Sequence, residues 1–530
     1  MGDYPLTLQH LLWRGERLHT HKEIITRREQ GIHRITYPAM IQRAARLAGA
    51  LRRLGIGPEG RVGSLAWNNW RHMELYYAVP CMGSVLHTLN ARLHPDQLAY
   101  VIEDAQDQVI VVDRSMLPAL ERIRDRIPGV RQIVVMSDDR QPGLEGALDY
   151  EDLIEGESSE FAWPNLDERQ ACTICYTSGT TGNPKGVLYS HRSQLLHAMA
   201  ALAADLVSVS EQDVILPVVP MYHVNAWGLP YAAGLSGANL VFPDRFLADG
   251  QVLCELTNDE RVTILAGVPT IWMGLLQYLR QSGKRLPTVR FVLCGGSAAP
   301  PVLIEGMDQV GLTILHAWGM TETSPLGSVA RVGSWIPEGT TMAARLSQGR
   351  AGALVEVRLA DLSSDSEVPW DGESIGELQC RGPWVASAYY KHAGPDRFTD
   401  DGWLRTGDVA SIDPDGYIRL VDRTKDVIKS GGEGISSVEL EGLIMAHPKV
   451  REAAVIGLPH PKWSERPVAY VVAGDDGPPS AEELREFLEA KVPRYWLPDE
   501  IRFIDEVPKT SVGKFDKRAL REDAVPLTGV

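Results

Sequence analysis

Apolar residues in the first part of the chain alternate between the spacing of amphipathic helices and that of buried strands. A helix is predicted to begin after Thr36 and to end at Gly55, because its apolar residues recur every three to four positions and Pro38 fits a first turn. The runs Arg61–Ala66 and Val109–Asp113 are short and apolar, as in buried parallel strands. Further strands of this kind are predicted at Val262–Leu265, Arg290–Cys294 and Leu312–Leu315. This rhythm predicts an α/β fold in which parallel strands end in loops that can carry a site.

The pattern changes near residue 350, where short, alternating, β-rich pieces are separated by Gly and Asp. The charged pentapeptide Asp422–Asp426 then precedes an α+β pattern that begins with a helix near Ser437–Met445. Ser480, with Glu483 three residues later, forms a capping box at the start of a further helix. Strands are expected between these helices, at Ala453–Ile456 and Val468–Val472. We therefore predict an N-terminal domain over 1–421, a hinge linker over 422–426 and a C-terminal domain over 427–530, which is a normal domain size.

Composition narrows the class of protein. The chain of 530 residues is too long for one compact core and long enough for two to four structural units. Its formal net charge is −16, from 53 Lys and Arg against 69 Asp and Glu, which argues against general nucleic-acid binding because that needs a basic face. No segment has the ~20 apolar residues that a membrane span requires, and the first residues lack the pattern of a signal peptide. The sequence therefore predicts a cytoplasmic protein without a transmembrane segment.

Six cysteines in a chain of this length do not predict a disulfide framework. Cys172 and Cys175 have the spacing of a redox or zinc motif, but no second Cys pair or spaced His pair accompanies them. Because the surrounding residues are small or β-prone, we predict a buried strand in which both cysteines act as small apolar side chains.

The strongest chemical signal is the segment Tyr176–Gly186, which reads YTSGTTGNPKG and follows an apolar run. Its glycines allow backbone N–H groups to face an anion, its hydroxyls add donors, and Lys185 supplies a positive charge. It is not a Walker A loop, because Pro184 stands where that motif needs its second glycine. The segment therefore predicts a phosphate-binding loop.

Together with four later motifs, this loop resembles the adenylate-forming superfamily of acyl-CoA synthetases, firefly luciferase and peptide-synthetase adenylation domains. The later motifs occur in the order of that family: Trp318–Glu322, Leu404–Asp408, Asp422–Glu433 and Pro508–Lys514. Two more segments, Pro220–Gly228 and His460–Pro467, are most similar to bacterial medium- and long-chain fatty acyl-CoA synthetases. The resemblance implies a large N-terminal domain of layered α/β subdomains with a distorted β-barrel, and a small mobile α+β C-terminal domain.

The resemblance also implies the substrates and most of the site. ATP, Mg²⁺ and coenzyme A are expected, with Glu322 and Thr177 as metal ligands. Asp408 and Arg423 are expected to bind the ribose hydroxyls. The remaining residues expected at the nucleotide or at coenzyme A are Ser178, Gly179, Thr180, Thr181, Gly182, Lys185, Gly296, Ser297, Ala317, Trp318, Gly319, Met320, Thr321, Lys429, Gly431 and Gly432.

Two lysines are expected to couple catalysis to a movement of the C-terminal domain. The resemblance makes Lys514 the cation over the α-phosphate and the acyl carboxylate, where negative charge develops. Because Lys514 lies beyond the predicted hinge, the C-terminal domain must close onto the N-terminal domain. Lys425 is expected to be the hinge residue and a nucleotide contact, and the Gly431–Gly432 loop is expected to face coenzyme A after the domain rotates.

The segment around His223 is expected to form the acyl site. In the resembled synthetases the histidine borders the acyl carboxylate and the tryptophan gates a fatty-acid tunnel, so His223, Val224 and Trp227 are the expected acyl contacts. On a helix, His223 and Trp227 would share one face. Two positions depart from the family pattern: Trp318 stands where Tyr is more common, and Gly434 where related enzymes often carry Trp. Both departures concern affinity and leave the reaction class unchanged.

The sequence thus predicts an ATP-dependent fatty acid:CoA ligase with a medium- or long-chain substrate. The carboxylate and ATP would give acyl-AMP and pyrophosphate, and coenzyme A would then displace AMP. Alternatives with the same first step are a ligase for a short acid such as a methylthioalkanoate, and an enzyme that passes the acyl group to a carrier protein. A non-enzymatic interaction protein is disfavoured because the lysine, glutamate and aspartate of the motifs are all present. A homodimer is expected from the resemblance alone.

Overall fold

Two large, mostly parallel sheets and two smaller, mostly antiparallel sheets form the molecule. The computed structural model describes residues 2–177, 183–423, 425–430, 433–474, 477–510 and 514–524. The large sheets and the four-stranded sheet are built from the chain up to residue 423, and the last sheet is built from residues 428–503. The predicted mixed α/β fold, with a large N-terminal and a smaller C-terminal part, is confirmed.

In the seven-stranded sheet, the strand that precedes the phosphate-loop motif pairs in the antiparallel sense with the strand that follows the motif. Its spatial order is Leu148–Asp149, Gln132–Met136, Val109–Asp113, Arg61–Leu65, Val85–Thr88, Ala171–Tyr176 and Gly186–Ser190. Neighbours are parallel except for the last two strands, which pair in the antiparallel sense on either side of that motif. Cys172 and Cys175 are buried in Ala171–Tyr176, as predicted.

The nine-stranded sheet is parallel in its centre and antiparallel at both edges. Its spatial order is Arg350–Ala351, Leu326–Val329, Ile314–Gly319, Phe291–Cys294, Ile264–Gly267, Val214–Pro217, Asn239–Phe242, Glu23–Arg27 and Ile32–Thr36. The carboxyl ends of its central strands therefore lie along one edge, where open α/β sheets bind ligands.

The two smaller sheets follow in the second part of the chain. The region predicted to hold a distorted barrel contains an antiparallel sheet of Glu356–Ala360, Gly376–Arg381, Leu404–Ile412 and Ile418–Arg423. The last sheet has the order Glu433–Ile435, Ile428–Ser430, Ser464–Ala473 and Val450–His460, with Glu500–Phe503 parallel to Ser464–Ala473. Successive residues of Val450–His460 point to opposite faces, and each face has an apolar core of its own, with Ala453 and Val455 in one core and Ala454 and Ile456 in the other.

Helices begin where the sequence supplies caps. The Thr36 side chain accepts a hydrogen bond from the Ala39 backbone N–H at 3.4 Å, and Ser480 forms the predicted capping box with Glu483. The α-helices are Gln9–Arg17, Tyr37–Arg53, Trp70–Cys81, Pro95–Ala105, Leu117–Glu121, Tyr150–Glu155, His191–Leu202, Leu229–Ser236, Gly250–Asp259, Pro269–Ser282, Pro301–Gln309, Thr341–Leu346, Ser437–Met445, Ala481–Glu489 and Lys517–Glu522. Across the described ranges, no helix has the length and apolar character needed to cross a membrane.

Candidate active site

A cavity of about 190 Å³ lies at the carboxyl ends of the central strands of the nine-stranded sheet. The strands Phe291–Cys294 and Ile314–Gly319, with the residues that follow them, form one wall. The end of Ala171–Tyr176 in the seven-stranded sheet faces the same space. The residues that line the cavity are Thr177, Asn183, Lys185, His197, Ala201, Val207, His223, Val224, Trp227, Leu229, Leu293, Gly295, Gly296, Ala317, Trp318, Gly319, Met320, Thr321, Glu322, Pro325, Leu326, Tyr389, Arg397, Arg423 and Lys514.

Glu322 is buried in the cavity wall and is held by an aromatic side chain. The Tyr389 hydroxyl donates a hydrogen bond to Glu322 Oε1. Burial, together with the negative charge of Glu322, raises the pKa of Tyr389, so this hydroxyl keeps its proton. Lys185 Nζ lies 5.1 Å from the centre of the Tyr389 ring, which is a cation–π distance. Through these contacts Tyr389 joins Glu322 to Lys185 of the phosphate-loop motif.

Thr177 and Lys185 pair across the base of the phosphate-loop motif. The Thr177 backbone N–H donates to the Lys185 carbonyl at 2.9 Å, and the Lys185 backbone N–H donates to Thr177 Oγ1 at 3.1 Å. Both residues line the cavity. The motif therefore begins and ends at the cavity wall.

Asp408 is oriented from two sides. Arg423 Nε lies 2.6 Å from Asp408 Oδ1, and the Trp318 indole N–H donates to Asp408 Oδ2 at 2.9 Å. Asp408 is buried, so these two charge-assisted contacts fix the position of its carboxylate in the site. Trp318 stands where the family more often has Tyr, and here its indole N–H binds Asp408. A tyrosine hydroxyl extends from a different part of its ring and would not occupy the place of this N–H.

Lys514 reaches the cavity from the C-terminal part of the chain. Its Cε lies 3.8 Å from the position that a Cβ on Gly296 would take. The pKa of Lys514 is lowered to about 8, mainly by burial and in addition by the charge of Arg423, whereas Asp408 and Glu322 act to raise it. The amine is therefore an ionisable cation close to two carboxylates and to the parallel strand ends.

His223 lies at the start of an unusual turn. Burial, together with the charge of Lys514, lowers the pKa of His223 to about 3, so the imidazole is neutral near pH 7. The next four residues, Val224, Asn225, Ala226 and Trp227, have φ values of 46°, 52°, 47° and 57°. This is a left-handed turn, so the right-handed helix on which His223 and Trp227 would share one face does not form here. Non-glycine residues rarely adopt this conformation, and such strain concentrates at functional sites.

The turn places Trp227 against the strand that ends at Cys294. A Cβ on Gly295 would lie 3.3 Å from Trp227 Cη2 and 3.1 Å from the Ala317 carbonyl oxygen. A side chain at residue 295 would therefore crowd the indole. The cavity lining also contains a set of apolar side chains, which are Ala201, Val207, Leu229, Leu293 and Leu326.

His197 is a polar residue in this apolar part. Burial lowers its pKa to about 3, so it is neutral. His197 Nε2 accepts a hydrogen bond from the Leu326 backbone N–H at 3.2 Å. The proton therefore resides on Nδ1, and this edge faces Gly228, where a Cβ would lie 2.6 Å from Nδ1.

The cavity unites most of the residues predicted from the motifs. Those that line it are Thr177, Lys185, His223, Val224, Trp227, Gly296, Ala317, Trp318, Gly319, Met320, Thr321, Glu322, Arg423 and Lys514. Asp408 stands behind Trp318 and Arg423, and Ser297 follows Gly296 without lining the cavity. Lys425 and Lys429 are exposed and lie outside the cavity lining. Ser178, Gly179, Thr180, Thr181, Gly182, Gly431 and Gly432 lie outside the described residues.

Several lining residues were not predicted. Tyr389 and Arg397 come from a segment with no recognisable motif, and His197 and Val207 come from a helix and the loop after it. Their burial depends on which distant elements pack together, which a single sequence does not reveal. Asn183 stood inside the quoted phosphate-loop segment and could have been included.

Comparison with known proteins matches two family models to this chain. The model for "AMP-binding enzyme" matches residues 13–390, and the model for "AMP-binding enzyme C-terminal domain" matches residues 439–514. The first match covers more than half of the chain. The predicted adenylate-forming superfamily is therefore confirmed.

Individual relatives are similar over nearly their whole length. A long-chain-fatty-acid–CoA ligase of Thermus thermophilus is 47% identical over 529 residues, covering 98% of this chain and 96% of that protein. A 3-methylmercaptopropionyl-CoA ligase of Ruegeria lacuscaerulensis is 43% identical, covering 99% of this chain and 98% of that protein. The crystal structure of an anthranilate CoA ligase in complex with anthranoyl-AMP superimposes with a TM-score of 0.89 at 26% identity, covering 98% of each chain. The motifs, the cavity that unites them and these similarities agree, and the chain belongs to the AMP-binding enzyme family.

Proposed function

We propose that this chain is an ATP-dependent fatty acid:CoA ligase acting on a medium- or long-chain acid. It would convert the acid and ATP to acyl-AMP and pyrophosphate, and then use coenzyme A to release acyl-CoA and AMP. The observation that carries the proposal is that Lys514 and Glu322 line one cavity together with a wall of apolar side chains. Such a wall suits an acyl chain, because burying apolar surface is favourable.

The first step brings two anions together, so it depends on positive charge. We assign Lys514 to the reacting α-phosphate and carboxylate, where its cation would offset the charge that develops in the transition state. Bound anions would raise the pKa of Lys514 above about 8 and keep it protonated. Asp408, held by Arg423 at 2.6 Å, is assigned to the ribose hydroxyls, for which its carboxylate is an acceptor.

His223 is assigned to the acyl carboxylate. Its pKa of about 3 makes it a neutral imidazole, which can donate one hydrogen bond without adding charge. Trp227, next to Gly295, is assigned to the passage between the reacting end and the apolar wall. A substrate carboxylate near His223 would thus have its chain directed past Trp227.

The residues in the cavity fit a magnesium ion that is shared with substrate phosphates. Magnesium prefers oxygen ligands and usually keeps several waters while taking one or two carboxylates from the protein. Glu322 supplies a carboxylate and Thr177 a hydroxyl, and both line the cavity. Tyr389 holds only the Oε1 oxygen of Glu322, so this contact orients the carboxylate. When bound, the ion would neutralise phosphate charge.

The second step is proposed to need a rotation of the C-terminal part about residues 422–426. Lys514 is in the cavity here, which suits the first step, and coenzyme A would enter after Lys514 has withdrawn. Lys425 is assigned to the hinge, and Lys429, Gly431 and Gly432 to the face turned towards coenzyme A. A homodimer and a cytoplasmic location complete the proposal.

A short acid is the second candidate for the acyl substrate. The Ruegeria relative, named for 3-methylmercaptopropionyl-CoA, is almost as similar to this chain as the Thermus relative named for long-chain fatty acids. The neutral His197 also adds one polar side chain to the apolar wall. Both candidates share the reaction and differ in the length of the acyl group.

Pyrophosphate and AMP release should be measured with acids from butyrate to palmitate and with 3-methylthiopropionate, with and without coenzyme A. Each buried methylene contributes about 0.8 kcal/mol, so affinity should rise roughly fourfold per carbon until the cavity is filled. A preference for medium or long acids supports the proposal. A preference for 3-methylthiopropionate would favour the second candidate, and acyl-AMP formation without acyl-CoA would favour transfer to a carrier protein.

A further inference from the structure

Residues 217–223 connect a strand of the nine-stranded sheet to His223 and have an unusual shortage of backbone donors. Pro217 and Pro220 have no N–H group. The Val218 and Val219 N–H groups both donate to the Ala266 carbonyl, at 2.8 and 3.1 Å. The carbonyl groups of this segment therefore need donors from elsewhere in the molecule.

Asn68 supplies these donors. Its side-chain Nδ2 donates to the Pro217 carbonyl at 2.9 Å and to the Val219 carbonyl at 2.8 Å. Its Oδ1 accepts from the Met221 N–H at 2.7 Å. The two N–H donors and the oxygen acceptor of the Asn68 side-chain amide thus all bind residues 217–221. Asn68 is fully buried, so loss of these bonds would leave polar groups without water to replace them.

Asn68 also joins the two large sheets. It lies three residues after the strand Arg61–Leu65 of the seven-stranded sheet, whereas the groups it binds follow the strand Val214–Pro217 of the nine-stranded sheet. Its own carbonyl accepts from the Asp244 N–H at 3.1 Å. The position of the segment is therefore fixed relative to both sheets.

The last group that Asn68 binds is the Met221 N–H, two residues before His223. The chain is also fixed two residues after His223, at Asn225. The Met221 carbonyl accepts from the Tyr76 hydroxyl, so Met221 is held through both of its backbone groups. Asn225, inside the left-handed turn, donates to Thr173 Oγ1 at 3.1 Å. His223 thus lies between two fixed points, and Asn68 provides most of the first.

We infer that Asn68 is a positioning residue, which acts on the acid through His223 by fixing residues 217–221. The inference rests on the proposed function, because it assumes that His223 borders the acyl carboxylate. A displacement of about 1 Å in a group that orients a substrate can lower a rate about 100-fold. The acid, and not ATP, should therefore show the effect of changes at Asn68.

The test compares Asn68→Ala with Asn69→Ala in the full-length protein. Asn69 is the matched control: it is buried, adjacent, and bonds to the His72 N–H at 3.0 Å and to Asp113 at 3.2 Å, not to residues 217–223. Acid-dependent ATP–pyrophosphate exchange would give KM for the acid and for ATP, and thermal unfolding would report the folded fraction. Asn68→Ser keeps a short polar side chain at this buried position and introduces no charge, so it replaces the alanine variant if that variant does not fold.

Asn68→Ala should lower kcat/KM for the acid by about 10- to 100-fold, with a raised KM for the acid, while KM for ATP changes by less than about threefold. Asn69→Ala should leave KM for the acid within about threefold of the wild type. In a double variant with His223→Ala, the losses should combine to little more than the larger single loss, because the two residues act through one contact.

The inference would be overturned if the losses of activity in the two single variants multiplied in the double variant. It would also be overturned if the Asn68 and Asn69 variants had equal KM values for the acid. If the wild-type protein shows no acid-dependent exchange with any acid, the proposed function itself fails. If the wild-type protein is active but the Asn68 variant behaves like the Asn69 control, the inference fails and the proposed function stands.

Discussion

The charge of Lys514 is the single-residue feature on which the proposed first step depends most. Burial lowers its pKa to about 8, and only the protonated amine can offset phosphate charge. We expect kcat/KM for acid-dependent ATP–pyrophosphate exchange, which reports ionisations of the free enzyme and free substrates, to fall as pH rises through about 8. In Lys514→Arg the guanidinium stays charged, so this fall should disappear even though the rate is lower. An unchanged alkaline fall in the arginine variant would assign it to another group.

The contact between Trp318 and Asp408 gives a second prediction for a single residue. Trp318→Phe keeps an aromatic ring but removes the N–H that donates to Asp408 Oδ2 at 2.9 Å. A buried acceptor that loses its donor costs about 1–3 kcal/mol, so we expect KM for ATP to rise by up to about 100-fold while KM for the acid changes little. Trp335→Phe is the control, because Trp335 is exposed and does not line the cavity. Equal ATP affinities in the two variants would remove the role of the indole.

Sequence motifs identified the charged residues of the cavity apart from Arg397, because these residues stand in short segments whose spacing is itself informative. Glu322 and Lys514 are examples, and they line one cavity although they are far apart in the chain. Tyr389, which holds Glu322, was not predicted. Its contact depends on the packing of a loop against the site, and no local spacing encodes it.

The left-handed turn at residues 224–227 is the feature that matters most at the scale of elements. Gly228 ends this turn with φ 68° and ψ 3°, and a Cβ there would lie 2.6 Å from His197 Nδ1. Gly283 ends the helix Pro269–Ser282 with the same φ and ψ, but a Cβ there would meet nothing within 4 Å. The two glycines therefore share the backbone conformation and differ in the space around them.

Gly228→Ala should be more destabilising than Gly283→Ala. Both substitutions place a side chain in the left-handed region, at a cost of about 1 kcal/mol. Gly228→Ala adds a clash with His197, which should cost roughly 1–3 kcal/mol more and should raise KM for the acid by moving the apolar wall. Free energies of unfolding from denaturant titrations and acid KM values would test this. Equal losses of stability in the two variants would contradict the clash.

Helices with a regular spacing of apolar residues were predicted closely from the sequence, whereas the left-handed turn at residues 224–227 was not. The helix expected between Thr36 and Gly55 is Tyr37–Arg53, and the helix expected near Ser437–Met445 has those bounds. The spacing between His223 and Trp227 indicated a helical face, but these residues form a left-handed turn. Nothing in local propensity favours four such residues in succession, so tertiary contacts such as those of Asn225 must maintain the turn.

At the scale of the whole molecule, the proposed reaction needs the C-terminal part to take up two positions. Proline fixes φ near −65° and lacks an N–H group, so Lys425→Pro should restrict the proposed hinge to one of them. We expect one half-reaction to fall at least about tenfold further than the other. Acid-dependent pyrophosphate exchange measures the first, and thioester formation from supplied acyl-AMP measures the second. Lys425→Ala is the control for loss of the side chain, and equal effects on both half-reactions in the proline variant would remove the hinge assignment.

The overall arrangement was predicted from the order of motifs, whereas the two-position movement was predicted only from the family resemblance. Ser437 shows the kind of contact that the sequence does not contain: its N–H donates to Asp422 Oδ2 at 2.6 Å, across the predicted hinge. Such contacts define one arrangement of the C-terminal part. The alternative arrangement requires different contacts, which neither apolar periodicity nor residue spacing encodes.

The most direct test of the central claim is to measure the products of one reaction with a saturated fatty acid, ATP, magnesium and coenzyme A. The account predicts acyl-CoA, AMP and pyrophosphate in equal amounts, and acyl-AMP held by the protein when coenzyme A is left out. Chromatography with mass detection would measure each product over time. Formation of ADP and phosphate, or AMP release that does not depend on the acid, would contradict the account.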